Sequence, residues 1–265
     1  MLTYSEHYAQ YLGYNSKQTG KLIVCHSPLR DKLKAHREPL LLSFLNRGQV
    51  VISVSADLLQ GIRRLNVGLS GKKLSPDKWV KTLDEVIFDK YKTYQIEQLI
   101  RMSVEPNKFT AAKKPNRIIR PLKLADKKIF MSDGQLPKRG KKYRDHFWSE
   151  NMKKIKEGRC IALFNRGQIV SRASIQPIEA GAGNIGVWTH EKHRKKGYGK
   201  AVVSVAVKWC FEHDLLPIYW VRHDNKGSIA LAKSLGFAVM NKEIGVAHWP
   251  GDAWNKYKVN DQTQN

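Results

Sequence analysis

The residues best suited to chemistry are Arg194-Lys195-Lys196-Gly197-Tyr198-Gly199-Lys200, which set glycines among cations between a strand candidate and a helix candidate. Glycine lets backbone approach a ligand closely, and the N–H groups that open a helix attract anions. Such a turn can cradle a phosphate or pyrophosphate, although paired glycines also serve ordinary turning. Further on, Asn225-Lys226-Gly227-Ser228 combines helix-capping side chains with a hydroxyl. Glu179, His190, His223 and Asp224 are candidates for proton transfer, each equally readable as a plain loop residue. No spacing of His, Cys, Asp or Glu suggests a metal site. Cys25, Cys160 and Cys210 are scattered and read as reduced thiols.

These residues need a scaffold, and the pattern from Asn116 onward supplies one. Ile118 to Leu122 reads as a strand. Tyr143 to Glu157 reads as a helix with Trp148, Met152 and Ile155 on one face, ended by Gly158. Strands flank the Asn165-Arg166-Gly167 turn, and a third strand, Asn184 to Thr189, precedes the glycine turn. A helix from Gly199 to His213 should turn Val202, Val205, Ala206 and Trp209 toward a sheet. Pro217 to Arg222 is the next strand, Ser228 to Leu235 a helix, and Gly236 to Met240 another strand. The alternation predicts an α/β (α+β) domain with a mixed sheet flanked by helices.

The N-terminal half echoes this one. Asn46-Arg47-Gly48-Gln49-Val50-Val51 returns as Asn165-Arg166-Gly167-Gln168-Ile169-Val170, each after an apolar run. Asn-x-Gly between such runs is a hairpin signal, and the extended match points to a duplicated fold. Ser75-Pro76-Asp77 should start a helix that buries Trp79, Leu83 and Val86. His7, His26 and His36 stand alone, so no catalytic set is expected in this half. The basic, proline-bearing stretch Lys108–Arg144, with Lys138-Arg139 and Pro137, reads as a connector. The expected limits are residues 1–112, residues 113–255 and a polar tail at 256–265.

Arg194-x-x-Gly197-x-Gly199 after a strand, Asn225-x-x-Ser228 some thirty residues on, Leu235-Gly236-Phe237 closing the next helix, and Ile119-Arg120-Pro121 through Asp126 upstream stand in order. Together they resemble the GNAT (GCN5-related N-acetyltransferase) superfamily. That resemblance implies a mostly antiparallel GNAT sheet, with the N-terminal half a degenerate copy. It also implies acetyl-CoA as cofactor and acyl transfer to a primary amine by direct attack in a ternary complex. Arg194, Lys195, Lys196, Gly197, Tyr198, Gly199 and Lys200 would then hold the pyrophosphate, assisted by Asn225 and Ser228. Val187, Trp188 and Thr189 would pair with the pantetheine arm. The family's catalytic tyrosine aligns with Ala232, leaving Glu179, His223 and Ser228 as catalytic candidates. Ser228 reads more modestly as a helix cap. Tyr219, Trp220, Trp188 and Trp249 read as core or pocket wall.

Lys and Arg number 47 against 23 Asp and Glu, a net charge of +24. That field attracts polyanions, nucleic acid included, or simply keeps the protein soluble. The acceptor could be a small molecule, a protein lysine or an aminoacyl-tRNA. A non-catalytic acyl-CoA-binding or RNA-associated regulator is the alternative. Neither a membrane span nor a secretory leader is evident in the sequence, so a cytoplasmic location without membrane partners is expected.

Overall fold

The computed structural model describes all residues except 16, 32–36, 46–47, 70–73, 92, 133–135, 137–139 and 249–265. Asn46-Arg47 of the first echo, His36, Pro137, Lys138-Arg139, Trp249 and the expected tail lie outside the described residues. The first elements are α1 (Tyr4–Leu12), β1 (Leu22–His26), β2 (Arg37–Phe44), β3 (Val50–Val54), α2 (Ala56–Leu69), α3 (Pro76–Lys90) and β4 (Tyr94–Ser103). Then follow β5 (Ile118–Pro121), α4 (Lys127–Met131), α5 (Lys141–Lys156), β6 (Cys160–Asn165), β7 (Gln168–Glu179) and β8 (Ala182–Thr189). The last are α6 (Tyr198–Glu212), β9 (Leu216–Arg222), α7 (Lys226–Ser234) and β10 (Ala238–His248).

Contacts group these elements into two units. One holds Met1–Tyr4, Met102–Val221 and Asn225–Ala238; the other holds Ser5–Arg101, Arg222–Asp224 and the chain from Val239 onward. The grouping differs from limits at 112/113 because β10, near the C-terminal end, pairs antiparallel with β2, as in Ile244↔Leu42. Strand pairing thus assigns the last strand to the earlier residues.

In the N-terminal unit the strands run in the order β1-β3-β2-β10-β4. Ser75 caps α3 by accepting from Lys78 N at 3.3 Å, and Pro76 follows at the first helical position. Trp79, Leu83 and Ile87 are buried beside Leu40, Leu42 and Ile52, while Val86 packs at the margin. The unit also buries charge. Arg101 donates to Glu243 at 2.7 Å with both side chains almost fully enclosed. His26 is not isolated either: its Nε2 lies 2.6 Å from Asp31.

The C-terminal unit runs β9-β8-β7-β6-β5 and is antiparallel except between β8 and β9. Arg166 and Gly167 both take positive φ (49° and 75°), the twist that closes a two-residue hairpin loop. The core on the α4 and α5 side comprises Phe130, Trp148, Ile155, Ala162 and Ile169, with Met152 at its edge. Gly158, at φ 71°, turns the chain out of α5. Helix α6 buries Val202 and Ala206 as expected, and also Val203, Val207 and Cys210. Val205 and Trp209 are only half-buried, because Trp209 instead stacks on His213 at 3.8 Å. All three cysteines are buried and free. Each unit therefore has helices on a mixed, mostly antiparallel set of strands. Among the described residues no helix is long and apolar enough to cross a membrane.

The echo is a shared hairpin rather than a shared topology. Strand β3 lies between β2 and a parallel β1, and the chain then enters α2. Strand β7 lies between β6 and an antiparallel β8 that directly follows it.

Candidate active site

The site begins where β8 and β9 part. Their parallel ladder runs Ala182↔Leu216, Gly183↔Pro217 and Asn184↔Ile218, and stops there. Past Asn184, β8 keeps β7 on one edge, through Ile185↔Ile175, Val187↔Ala173, Trp188↔Arg172 and Thr189↔Ser171. Among the described residues no strand pairs with its other edge there. Asn184 Oδ1 accepts from Trp220 N at 3.2 Å, so a side-chain amide takes the N–H that the ladder no longer satisfies. Asn184 had drawn no attention in the sequence beyond opening a strand. Its side chain and the sheet's divergence are linked only in three dimensions. Val187, Trp188 and Thr189 are all half-buried on this open stretch.

The glycine turn stands at the end of that stretch. Lys195 and Gly197 take positive φ (59° and 76°), turning the chain from a short 3₁₀ segment, Glu191–His193, into α6. Gly197 has open space where a Cβ would sit, so its conformation alone calls for glycine. Gly199 is different: a Cβ would stand 3.1 Å from both Leu231 and Thr189 side-chain atoms. Gly197 offers no side-chain cap, and Ala201 N is bonded to Gly197 O at 3.0 Å. The N–H groups of Tyr198, Gly199 and Lys200 therefore lack helical acceptors, as at any helix start. Arg194, Lys195 and Lys196 are exposed around them, and Lys200 is half-buried. Arg194 Nε reaches Thr189 O at 3.4 Å, tying the loop to β8. Burial, and then the charges of Lys196 and His190, hold the His193 imidazole below its ordinary value. The residues present fit a diphosphate: cations, outward N–H groups and a glycine whose side of the turn is open.

Asn225 is the cap of α7, its Oδ1 accepting from Ser228 N at 3.0 Å. This corrects the reading of Ser228 as the cap. Its hydroxyl is instead 2.8 Å from the Tyr219 hydroxyl. Tyr219 is buried wall, as expected, but its hydroxyl has this further role. Burial pushes the phenol up, against the hydrogen bond from Ser228. Ala232 is fully buried.

The remaining proton-transfer candidates are dispersed. Glu179 ends β7 at a tight turn through Ala180 and Gly181 and pairs with Ala182. It stands at the end of β8 where the β9 ladder is intact; at ~3.3 Å per residue, Val187 lies roughly 17 Å along the strand. His223 Nδ1 and backbone N both engage Gln98 O, at 3.2 and 3.0 Å. Asp224 pairs with Arg222 at 2.9 Å, and that guanidinium holds the carboxyl below its usual range. His190 Nδ1 faces Lys192 N at 3.3 Å. Upstream, Arg120 binds Asp126 through two hydrogen bonds of 2.7 and 2.8 Å.

Known proteins bear on this geometry. The model of the GNAT acetyltransferase family matches residues 75–243, well over half of the chain. An uncharacterized N-acetyltransferase of Bacillus subtilis (strain 168), YjdG, is 32% identical over 75 residues, covering 28% of this chain and 45% of that protein. The match thus spans less than half the length of this curated relative. Among solved structures, a GCN5-related N-acetyltransferase from Sphaerobacter thermophilus is 14% identical with a TM-score of 0.49, covering 76% of this chain and 73% of that one. A GNAT-family acetyltransferase from Colwellia psychrerythraea is 10% identical with a TM-score of 0.48, covering 63% and 61%. On the extent of the family match, the chain belongs to the GNAT acetyltransferase family.

Proposed function

We propose that the chain is an acetyl-CoA-dependent N-acetyltransferase that passes the acyl group directly to a primary amine in a ternary complex. The observation that carries this reading is the loss of the β8–β9 ladder after Asn184, on the strand that leads into the glycine turn. An extended pantetheine arm suits an unpaired strand edge, and backbone groups of Val187, Trp188 and Thr189 are those available to it. The N–H groups of Tyr198, Gly199 and Lys200, with Arg194, Lys195 and Lys196, suit its pyrophosphate. Acetyl-CoA would supply an activated thioester. Preorganised N–H groups commonly provide the largest catalytic contribution in acyl transfer. Ser228, held by Asn225 and Tyr219, is the hydroxyl nearest to a proton-donor role. Glu179 is too far along β8 to serve as base, so solvent or the acceptor itself must shed the amine proton.

Replacing Gly197 with valine should lower acetyl-CoA affinity at least 100-fold by calorimetry, with an unchanged circular dichroism spectrum. Retained affinity would move the donor elsewhere. The buried Ala232 favours one second reading, an acyl-CoA-binding regulator without turnover. Thiol release from acetyl-CoA against an amine panel separates the two, since binding without release sinks the enzyme. A polyanionic carrier such as aminoacyl-tRNA is consistent with the +24 charge and with a cleft of ≈ 710 Å³ lined by Lys114, Arg117 and Arg166. Its affinity should fall steeply with salt.

A further inference from the structure

Strand β7 has two unlike faces. Ser171, Ala173 and Ile175 are fully buried, whereas Arg172, Ser174 and Gln176 at the alternate positions are half-buried. β7 has a strand on each side, so a polar, partly open face on it marks a depression rather than a sheet rim. Its cross-strand neighbours shape that depression. Ser174 lies between Cys160 and Gly186, a row of small residues, and Arg172 lies between Ala162 and Trp188. The Arg172 guanidinium stands 5.1 Å from the Phe130 ring, 5.4 Å from Phe147 and 5.5 Å from Trp188. From α5, Lys154 Nζ reaches Gln176 Oε1 at 3.5 Å. Burial first, and also the charges of Arg159 and Arg172, hold the Lys154 amine below its ordinary value. Gly186 and Trp188 belong to the stretch of β8 that has lost β9. The polar face therefore adjoins the place where the acyl group would lie.

We infer that this face is the acceptor subsite, and that Arg172, assisted by Lys154, selects amines that also carry an anionic group, a carboxylate or a phosphate monoester. The inference rests on the donor placement proposed above. A guanidinium packed among three rings is already oriented, so little freedom is lost when it binds an oxyanion in a forked geometry. The two cations also disfavour the ammonium form of a bound amine, which leaves more of it as the neutral nucleophile. Ser174 and Gln176 add neutral hydrogen-bonding groups on the same face, and Gly186 leaves room beside them.

The test compares matched amines with acetyl-CoA saturating: L-phenylalanine with phenethylamine, and O-phosphoethanolamine with ethanolamine. Thiol release is followed for wild type, Arg172→Lys and Arg172→Gln, and acetyl-CoA affinity is measured by calorimetry for each. Wild type should prefer the anionic member of at least one pair by tenfold or more in kcat/KM, and the preferred pair reports the anion. Arg172→Gln should raise KM for that member at least tenfold and leave its neutral partner within twofold, with Arg172→Lys between. Unchanged acetyl-CoA affinity in the variants separates this outcome from a failure of the donor site, which would appear as absent binding in wild type. A preference for neutral amines, an equal KM change for both members, or no turnover of either despite acetyl-CoA binding would overturn the inference.

Discussion

The two Asn-Arg-Gly-Gln hairpins begin alike and end differently. Gly48 and Gly167 share a φ of 75°, and in both cases an antiparallel strand pair surrounds the turn. The first hairpin continues for five residues in β3 and goes into a helix. The second continues for twelve in β7 and passes to β8, the strand that parts from its neighbour. The polar groups of the two units differ in the same sense. Arg101 and Glu243 are sealed against each other in the N-terminal unit, whereas Arg172, Ser174 and Gln176 remain partly open. A turn sequence specifies a turn. Whether a hairpin can serve chemistry depends on the edges and faces left accessible by the strands beside it.

The sealed pair should show the largest effect. Glu243→Ala leaves the Arg101 guanidinium buried without its carboxylate and should cost about 3–5 kcal/mol in denaturant unfolding. A loss below ~1 kcal/mol would mean that the N-terminal polar cluster is as open as that of β7. Next, Asp126→Asn in the C-terminal unit should cost about 1–2 kcal/mol, discounted for the partial exposure of Arg120. Arg120 holds the Asp126 carboxyl below its usual range. A depressed folded-state value gives stability that is full above the unfolded value of about 3.9 and lost as pH falls through the folded one. Wild type should therefore lose this contribution below about pH 4, and the Asn variant should show a shallower acid decline. Identical acid profiles would show that the pair does not form in solution.

The smallest effect is the sharpest test of the equivalence of the hairpins. A Cβ at Gly48 or at Gly167 would meet nothing within 4 Å, so only the positive φ opposes alanine. Gly48→Ala and Gly167→Ala should cost the same, about 1–2 kcal/mol each. Losses differing by more than ~1 kcal/mol would show that even the turns are not alike.

The sequence by itself determined the local devices. Asn-x-Gly placed the second hairpin, Ser75-Pro76 the start of α3, and Asn225-x-x-Ser228 the start of α7. The glycine turn before α6 was equally legible, because positive φ and an uncapped helix start leave a compositional mark. Apolar periodicity found Trp148 and Ile155, yet it missed Val203 and Val207 on α6, where nearly every position is apolar and the period fades. Only the tertiary structure decided that β10 pairs with β2, that β8 leaves β9 after Asn184, and that the Ser228 hydroxyl meets Tyr219. It also carried Glu179 to the laddered end of β8, away from the open edge that a neighbouring loop position had suggested. The physical reason is range. Caps and turns are settled by hydrogen bonds within a few residues, whereas a strand's partner, and the edge it lacks, depend on segments far apart in the chain.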